Sequence, residues 1–147
     1  MSHLPTARFT RLAQGAALTL ALALGAPALA AVCQDVTFTV QNGHRTNDLI
    51  KIKKVKYLDV TANTTNTEDV VDITCSAGST CTTLGDDLGS TLEARLGHDL
   101  SNVQFQFQYK ELDGDWSDPV WSKKFKPTDR ECRNDRNYGS SAWVITG

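Results

Sequence analysis

The chain has 147 residues, 40% of them hydrophobic and 22% charged, with 15 lysines and arginines, 17 acids and a formal net charge of −2. That length holds one domain, and its plentiful, patterned apolar residues exclude a disordered chain. The charge balance excludes a bulk polyanion binder, whose net charge is ordinarily positive, and gives no sign of specific nucleic-acid recognition.

The first 30 residues read as a secretory leader. Arg8 and Arg11 precede the apolar run at residues 12–24, and small residues follow at Ala26-Pro27-Ala28-Leu29-Ala30-Ala31. Basic, apolar, then A-x-A predicts cleavage after Ala30, leaving 31–147 as a single secreted or periplasmic domain. The run is short and is followed by Gly25 and Pro27, thin for a membrane span of about 20 residues. Val32 is a poor residue for lipoprotein processing at Cys33. The leader takes two of the 15 basic residues and none of the acids, so the remainder carries −4. In an oxidising compartment, Cys33, Cys75, Cys81 and Cys132 favour two disulfides over zinc, since the only close pair is Cys75-x₅-Cys81. Of three connectivities, the expected one joins Cys75 to Cys81, the pair with the cheapest loop closure, and Cys33 to Cys132.

Strand signals dominate from there on. Val36, Phe38 and Val40 alternate with polar residues, and Asn42-Gly43 marks a turn. Residues 50–57 alternate but slip phase at Lys53-Lys54, which predicts a β-bulge returning Val55 and Tyr57 to the face of Ile50 and Ile52. Residues 61–68 read as a polar loop carrying the sequon Asn63-Thr-Thr65. Val71, Ile73 and Cys75 alternate again. Residues 84–100 are ambiguous: leucines every fourth residue suit a helix, but Gly85, Gly89 and Gly97 oppose one. A strand is expected at 91–96. Val103 to Tyr109 alternates without a fault, predicting one buried and one wet face. Asp113-Gly114 suggests a two-residue type I′ turn, which would set Glu111 opposite Trp116, Tyr109 opposite Asp118 and Phe107 opposite Val120. That register turns Trp116, Asp118 and Val120 toward the core. Pro119, lacking an amide donor, places the return strand at an edge. Trp143 to Thr146 closes the chain.

About seven or eight short strands with turns between them and little helix predict an all-β, disulfide-stabilised antiparallel β-sandwich. The stretch 103–125, aromatic alternation followed by a Trp-Ser pair, resembles the middle hairpin of fibronectin type III-like domains. That resemblance implies an immunoglobulin/fibronectin-III-like architecture. No internal repeat is evident.

Catalytic constellations are not found. His44 and His98 read as loop residues, no G-x-S-x-G elbow occurs, and bridged cysteines lack a thiolate. Asp113, Asp115 and Asp118 cluster enough oxygen to suggest a weak calcium site, but the EF-hand pattern fails and turn chemistry explains Asp113-Gly114. Charge is uneven: residues 60–118 hold eleven acids and two bases, 45–56 five bases and one acid, and 119–136 six bases and three acids. If Lys51, Lys53, Lys54 and Lys56 adjoin Lys123, Lys124, Lys126, Arg130, Arg133 and Arg136, they make a basic face for a protein, a glycan or an anionic surface. Solvated edge lysines are the plainer explanation. Aromatic packing is expected to draw Tyr109, Trp143 and one of Trp116 or Trp121 into the core. The expected function is a non-catalytic binding module. The alternative is a membrane-active β-protein docking peripherally on anionic lipid through lysines and tryptophans, and an exported hydrolase using the 111–118 acids ranks last.

Overall fold

A computed structural model describes residues 31–44, 49–83 and 92–146. The leader expected at 1–30 and the helix-or-strand question at 84–91 lie outside the described residues. The described chain is all-β with no helix. Its strands are β1 (Thr37–Asn42), β2 (Leu49–Asp59), β3 (Thr64–Ser76), β4 (Thr80–Thr83), β5 (Leu100–Tyr109), β6 (Val120–Trp121) and β7 (Asn137–Ile145). They form two sheets, ordered β4-β1-β7 and β3-β2-β5-β6. Every pairing is antiparallel except β1 with β7.

The period-two pattern decides which side of each strand is dry. Ile50, Ile52, Val55 and Tyr57 of β2 and Val103, Phe105 and Phe107 of β5 are buried against Phe38 and Val40 of β1 and Tyr138, Trp143 and Ile145 of β7. Phe105 is the hub. It meets Phe38 edge-on at 5.9 Å, Trp143 at 6.2 Å and Phe125 at 5.9 Å between ring centroids, and Phe125 stacks on Trp143 at 5.2 Å. The bulge expected at Lys53-Lys54 is present: the register shifts between Ile52 and Lys54 against both neighbouring strands.

Both expected disulfides form. Cys33–Cys132 ties the segment before β1 to the one before β7, and Cys75–Cys81 crosses from β3 to β4, joining one sheet to the other. Two such bridges are compatible with an oxidising, extracellular environment.

Four expectations need correction. Residues 61–68 are not a loop. Asn63 takes a left-handed conformation (φ 54°) to close the turn, and the β-branched threonines from Thr64 onward run straight into β3. The pairing of β3 with β2 then shifts between Asp69 and Ile73, so Val70 turns inward and Val71 is exposed. Residues 92–96 do not form a regular strand. They hydrogen-bond residues 31–33 through Leu92 N to Cys33 O, Cys33 N to Ala94 O and Leu96 N to Ala31 O, while Leu92 and Ala94 are buried as alternation required. The 111–114 turn is not the two-residue type. Gly114 N donates to Glu111 O, Gly114 has φ 94°, and Glu111 N donates to Asp115 O. A turn over Glu111–Gly114 with a left-handed glycine inserts one extra residue. The Phe107–Val120 pairing survives, but Lys110 rather than Glu111 now bridges Trp116. Trp116 therefore leaves the core side, Asp118 is exposed, and Val120, though paired as expected, is 39% exposed and not in the core.

Candidate functional site

The outer face of the four-stranded sheet gathers the lysines of β2. Lys51, Lys54 and Lys56 lie opposite Gln108, Gln106 and Gln104 of β5 on one side and Thr74, Asp69 and Thr67 of β3 on the other. Beyond β5, the segment 116–122 supplies a wall of two indoles. Lys51 Nζ sits 4.4 Å and Lys110 Nζ 5.1 Å from the Trp116 ring, and Lys56 Nζ sits 4.0 Å from the Trp121 ring. Each such contact contributes about 0.5–1 kcal/mol at an exposed site. It also orders a long side chain without neutralising it: among the described residues no carboxylate lies within ion-pair distance of Lys51 or Lys56. Lys53 and Lys54 do pair, with Asp72 and Asp69, both at 2.7 Å.

The tryptophan wall is built from a repeat that strand alternation alone does not reveal. Trp116-Ser117 and Trp121-Ser122 each grip β5 in the same way. Ser117 N donates to Tyr109 O at 2.9 Å, and Tyr109 N donates back to Ser117 Oγ at 3.0 Å. Ser122 does the same with Phe105, at 2.9 and 3.0 Å. Each hydroxyl then donates to the next carbonyl, Asp118 O or Lys123 O. Gln108 Nε2 and Gln104 Nε2 complete the clamps on the carbonyls of Ser117 and Ser122. The clamps are five residues apart in one segment and four apart in β5, and Asp118-Pro119 takes up the difference. Both serines are only 4% exposed while their tryptophans point out. The repeated Trp-Ser dipeptide was the available signal.

The other basic candidates do not add to this face. Lys123 packs its ammonium 5.5 Å from the Phe125 ring, and Lys124 and Lys126 are exposed. Arg130, Arg133 and Arg136 are matched by Asp99, Asp129 and Glu131, and the Arg133 guanidinium holds the Glu131 carboxyl below the usual carboxylate range. The three calcium candidates are not assembled: Asp113 Oδ1 accepts from Asp115 N, Asp118 is exposed, and no metal-holding group of three such side chains exists among the described residues. The bond to Asp113 Oδ1 is the local turn chemistry of an aspartate and accounts for that residue without a cation. Trp143 joins the core as expected and Tyr109 packs against it, but Trp116 and Trp121 both lie outside.

A second feature emerges where the β2–β3 hairpin meets residues 93–98. Asp59, the last residue of β2, points inward and is 2% exposed. Its Oδ1 accepts from Ala62 N at 2.9 Å, and its Oδ2 lies 2.8 Å from His98 Nδ1. Both side chains line a cleft of about 530 Å³ with Thr61, Ala62, Thr64, Asn66, Glu93 and Arg95. Next to it, the buried Tyr57 hydroxyl donates to Glu68 Oε1 at 2.7 Å and accepts from Ala94 N at 3.2 Å, while Glu93 N donates to the same Glu68 oxygen at 3.0 Å. Burial and the Glu68 carboxylate push the Tyr57 phenol above its usual range. His98 is thus a partner of a buried acid and not a free loop residue. Nothing in local spacing announces a pair 39 residues apart.

Comparison with family models, curated proteins and solved structures returned no match to this chain.

Proposed function

We propose that this is a secreted or periplasmic, non-catalytic binding module that holds an acidic polysaccharide against the outer face of its four-stranded sheet. One observation carries the reading: Lys51, Lys54 and Lys56 stand in a row beside Trp116 and Trp121, with Lys51 and Lys56 ordered over indoles instead of being neutralised. Ordered cations lose less side-chain entropy on binding than free ones. Gln106 and the side-chain amide oxygens of Gln104 and Gln108, whose Nε2 groups are held by the serine carbonyls, offer hydrogen bonds to sugar hydroxyls. The leader-like first 30 residues and the two disulfides support export. The net negative charge that excludes bulk polyanion binding confines the attraction to the lysines of this one face, an exposed and local attraction that salt screens.

A glycan suits this face better than an anionic bilayer. A bilayer would bring its anionic headgroups against the hairpin tip as well, where exposed Leu112 is flanked by Glu111, Asp113 and Asp115, whereas a polymer chain lying along the lysine row need not reach it. The test is affinity electrophoresis of the protein through polygalacturonate and through neutral dextran. Polygalacturonate is expected to retard the native chain, and K51E/K54E/K56E is expected to weaken that binding more than tenfold. Equal retardation by dextran, an undiminished triple variant, or tighter binding to phosphatidylglycerol vesicles than to polygalacturonate would overturn the reading.

A further inference from the structure

We propose that the cleft lined by Asp59, His98, Arg95 and Glu93 is a separate binding site for a small hydroxylated acid of the sugar-acid class. None of its lining residues belongs to the lysine–tryptophan face, so the two sites stand or fall independently.

The histidine is set by the acid behind it. Both Asp59 oxygens are engaged, one by Ala62 N and one by His98 Nδ1, so Asp59 is not itself open to a ligand. A carboxylate on Nδ1 fixes the proton there and leaves Nε2 of the neutral ring as a hydrogen-bond acceptor. Nε2 has no hydrogen-bond partner among the described residues and is not sealed from solvent. In its neutral form His98 therefore presents a directed acceptor to the cleft, while Asp59 acts as a positioning residue.

The charged pair is set by alternation. Leu92 and Ala94 turn into the core, whereas Glu93 and Arg95 beside them are exposed. Both line the cleft, yet neither makes a side-chain ion pair among the described residues, with each other or with Asp59. An unmatched guanidinium offers a fork for one carboxylate. Glu93 and His98 Nε2 accept hydroxyl protons, and Thr64 and Asn66 supply further polar groups. Ala62 is the only apolar side chain in the lining, which disfavours a hydrophobic ligand. One acid group with several hydroxyls matches this set.

The lining is held in place. Glu68 fixes the Glu93 amide, Tyr57 the Ala94 amide, Arg95 O accepts from His98 N, and Thr61 Oγ accepts from Asp99 N. Preorganised polar groups bind with less ordering cost.

The test follows the His98 imidazole nitrogens by ¹⁵N NMR while glucuronate is added to the full, oxidised domain. At a pH where the ring is neutral, as the nitrogen shifts themselves report, the free protein is expected to show the Nδ1–H tautomer. Glucuronate is expected to shift Nε2 saturably in the millimolar range, with affinity falling at least tenfold in R95A and unchanged in K51E/K54E/K56E. D59N is expected to weaken binding and disturb the tautomer ratio, a readout that a merely structural role for Asp59 would leave unmoved. An unshifted Nε2 at saturating glucuronate, an equal response to glucose, or full affinity in a folded R95A protein refutes the site.

Discussion

Removing the hydroxyl of Ser122 tests whether the paired Trp-Ser clamps hold the edge of the sheet. β6 is only two residues long, so ladder pairing alone gives the 116–122 segment little grip. In S122A the bond from Ser122 N to Phe105 O survives, but the Phe105 amide loses its acceptor, and Phe105 is 0% exposed. Stranding a buried donor costs about 1–3 kcal/mol; with the bond to Lys123 O lost as well, S122A should lose about 2 kcal/mol. S117A strands the amide of Tyr109, which is only half-buried and within reach of water, and should lose about 1 kcal/mol. The clamps share no partner, so the double variant should lose about 3 kcal/mol. Urea unfolding of the oxidised proteins, followed by tryptophan fluorescence, measures all three. A loss below about 0.5 kcal/mol in S122A, or a double variant no worse than S122A alone, would refute the clamp argument.

Three further outcomes are expected. H98A leaves Oδ2 of the buried Asp59 carboxylate without its partner and should cost about 2 kcal/mol in urea unfolding, a smaller penalty meaning that water replaces the imidazole. Removing Cys33–Cys132, which spans 99 residues, should cost about 4–5 kcal/mol in the loop-entropy account, against about 2 for Cys75–Cys81, which spans 6; paired alanine variants compared by calorimetry give the order, and its inversion contradicts it. The raised Tyr57 phenol gives a signed pH effect: the unfolded tyrosine ionises first, so its stabilising contribution is whole below about pH 10 and is lost as pH rises beyond it. Y57F should flatten that alkaline decline in a pH series of urea midpoints, and an unchanged slope would place the cause elsewhere.

Much of the scaffold was legible because period-two burial is a strong constraint. Phe38, Val40, Phe105 and Phe107 could face only one way, and the phase slip at Lys53-Lys54 forced a bulge. The cysteine pairing followed from closure cost and compartment. What was missed turned on single-residue geometry or on distance along the chain. One left-handed glycine, Gly114, shifted the hairpin and carried Trp116 from the expected core to the outer face. The threonines of 64–67 look like a loop by polarity but are strand formers by shape. The lysine row was visible in sequence, and exposed tryptophans were considered beside it, but which indole covers which lysine was not legible, since the indoles come from a segment two strands away. Asp59 and His98 meet only because β2 ends where the 93–98 segment crosses it.

The reading rests most directly on where an acidic polymer touches the molecule. Backbone amide shifts recorded while polygalacturonate is added should move along β2, β5 and residues 116–122 and return as salt is raised. Shifts centred on the hairpin tip at 111–115 or on the arginine cluster at 129–136, or shifts indifferent to salt, would contradict it.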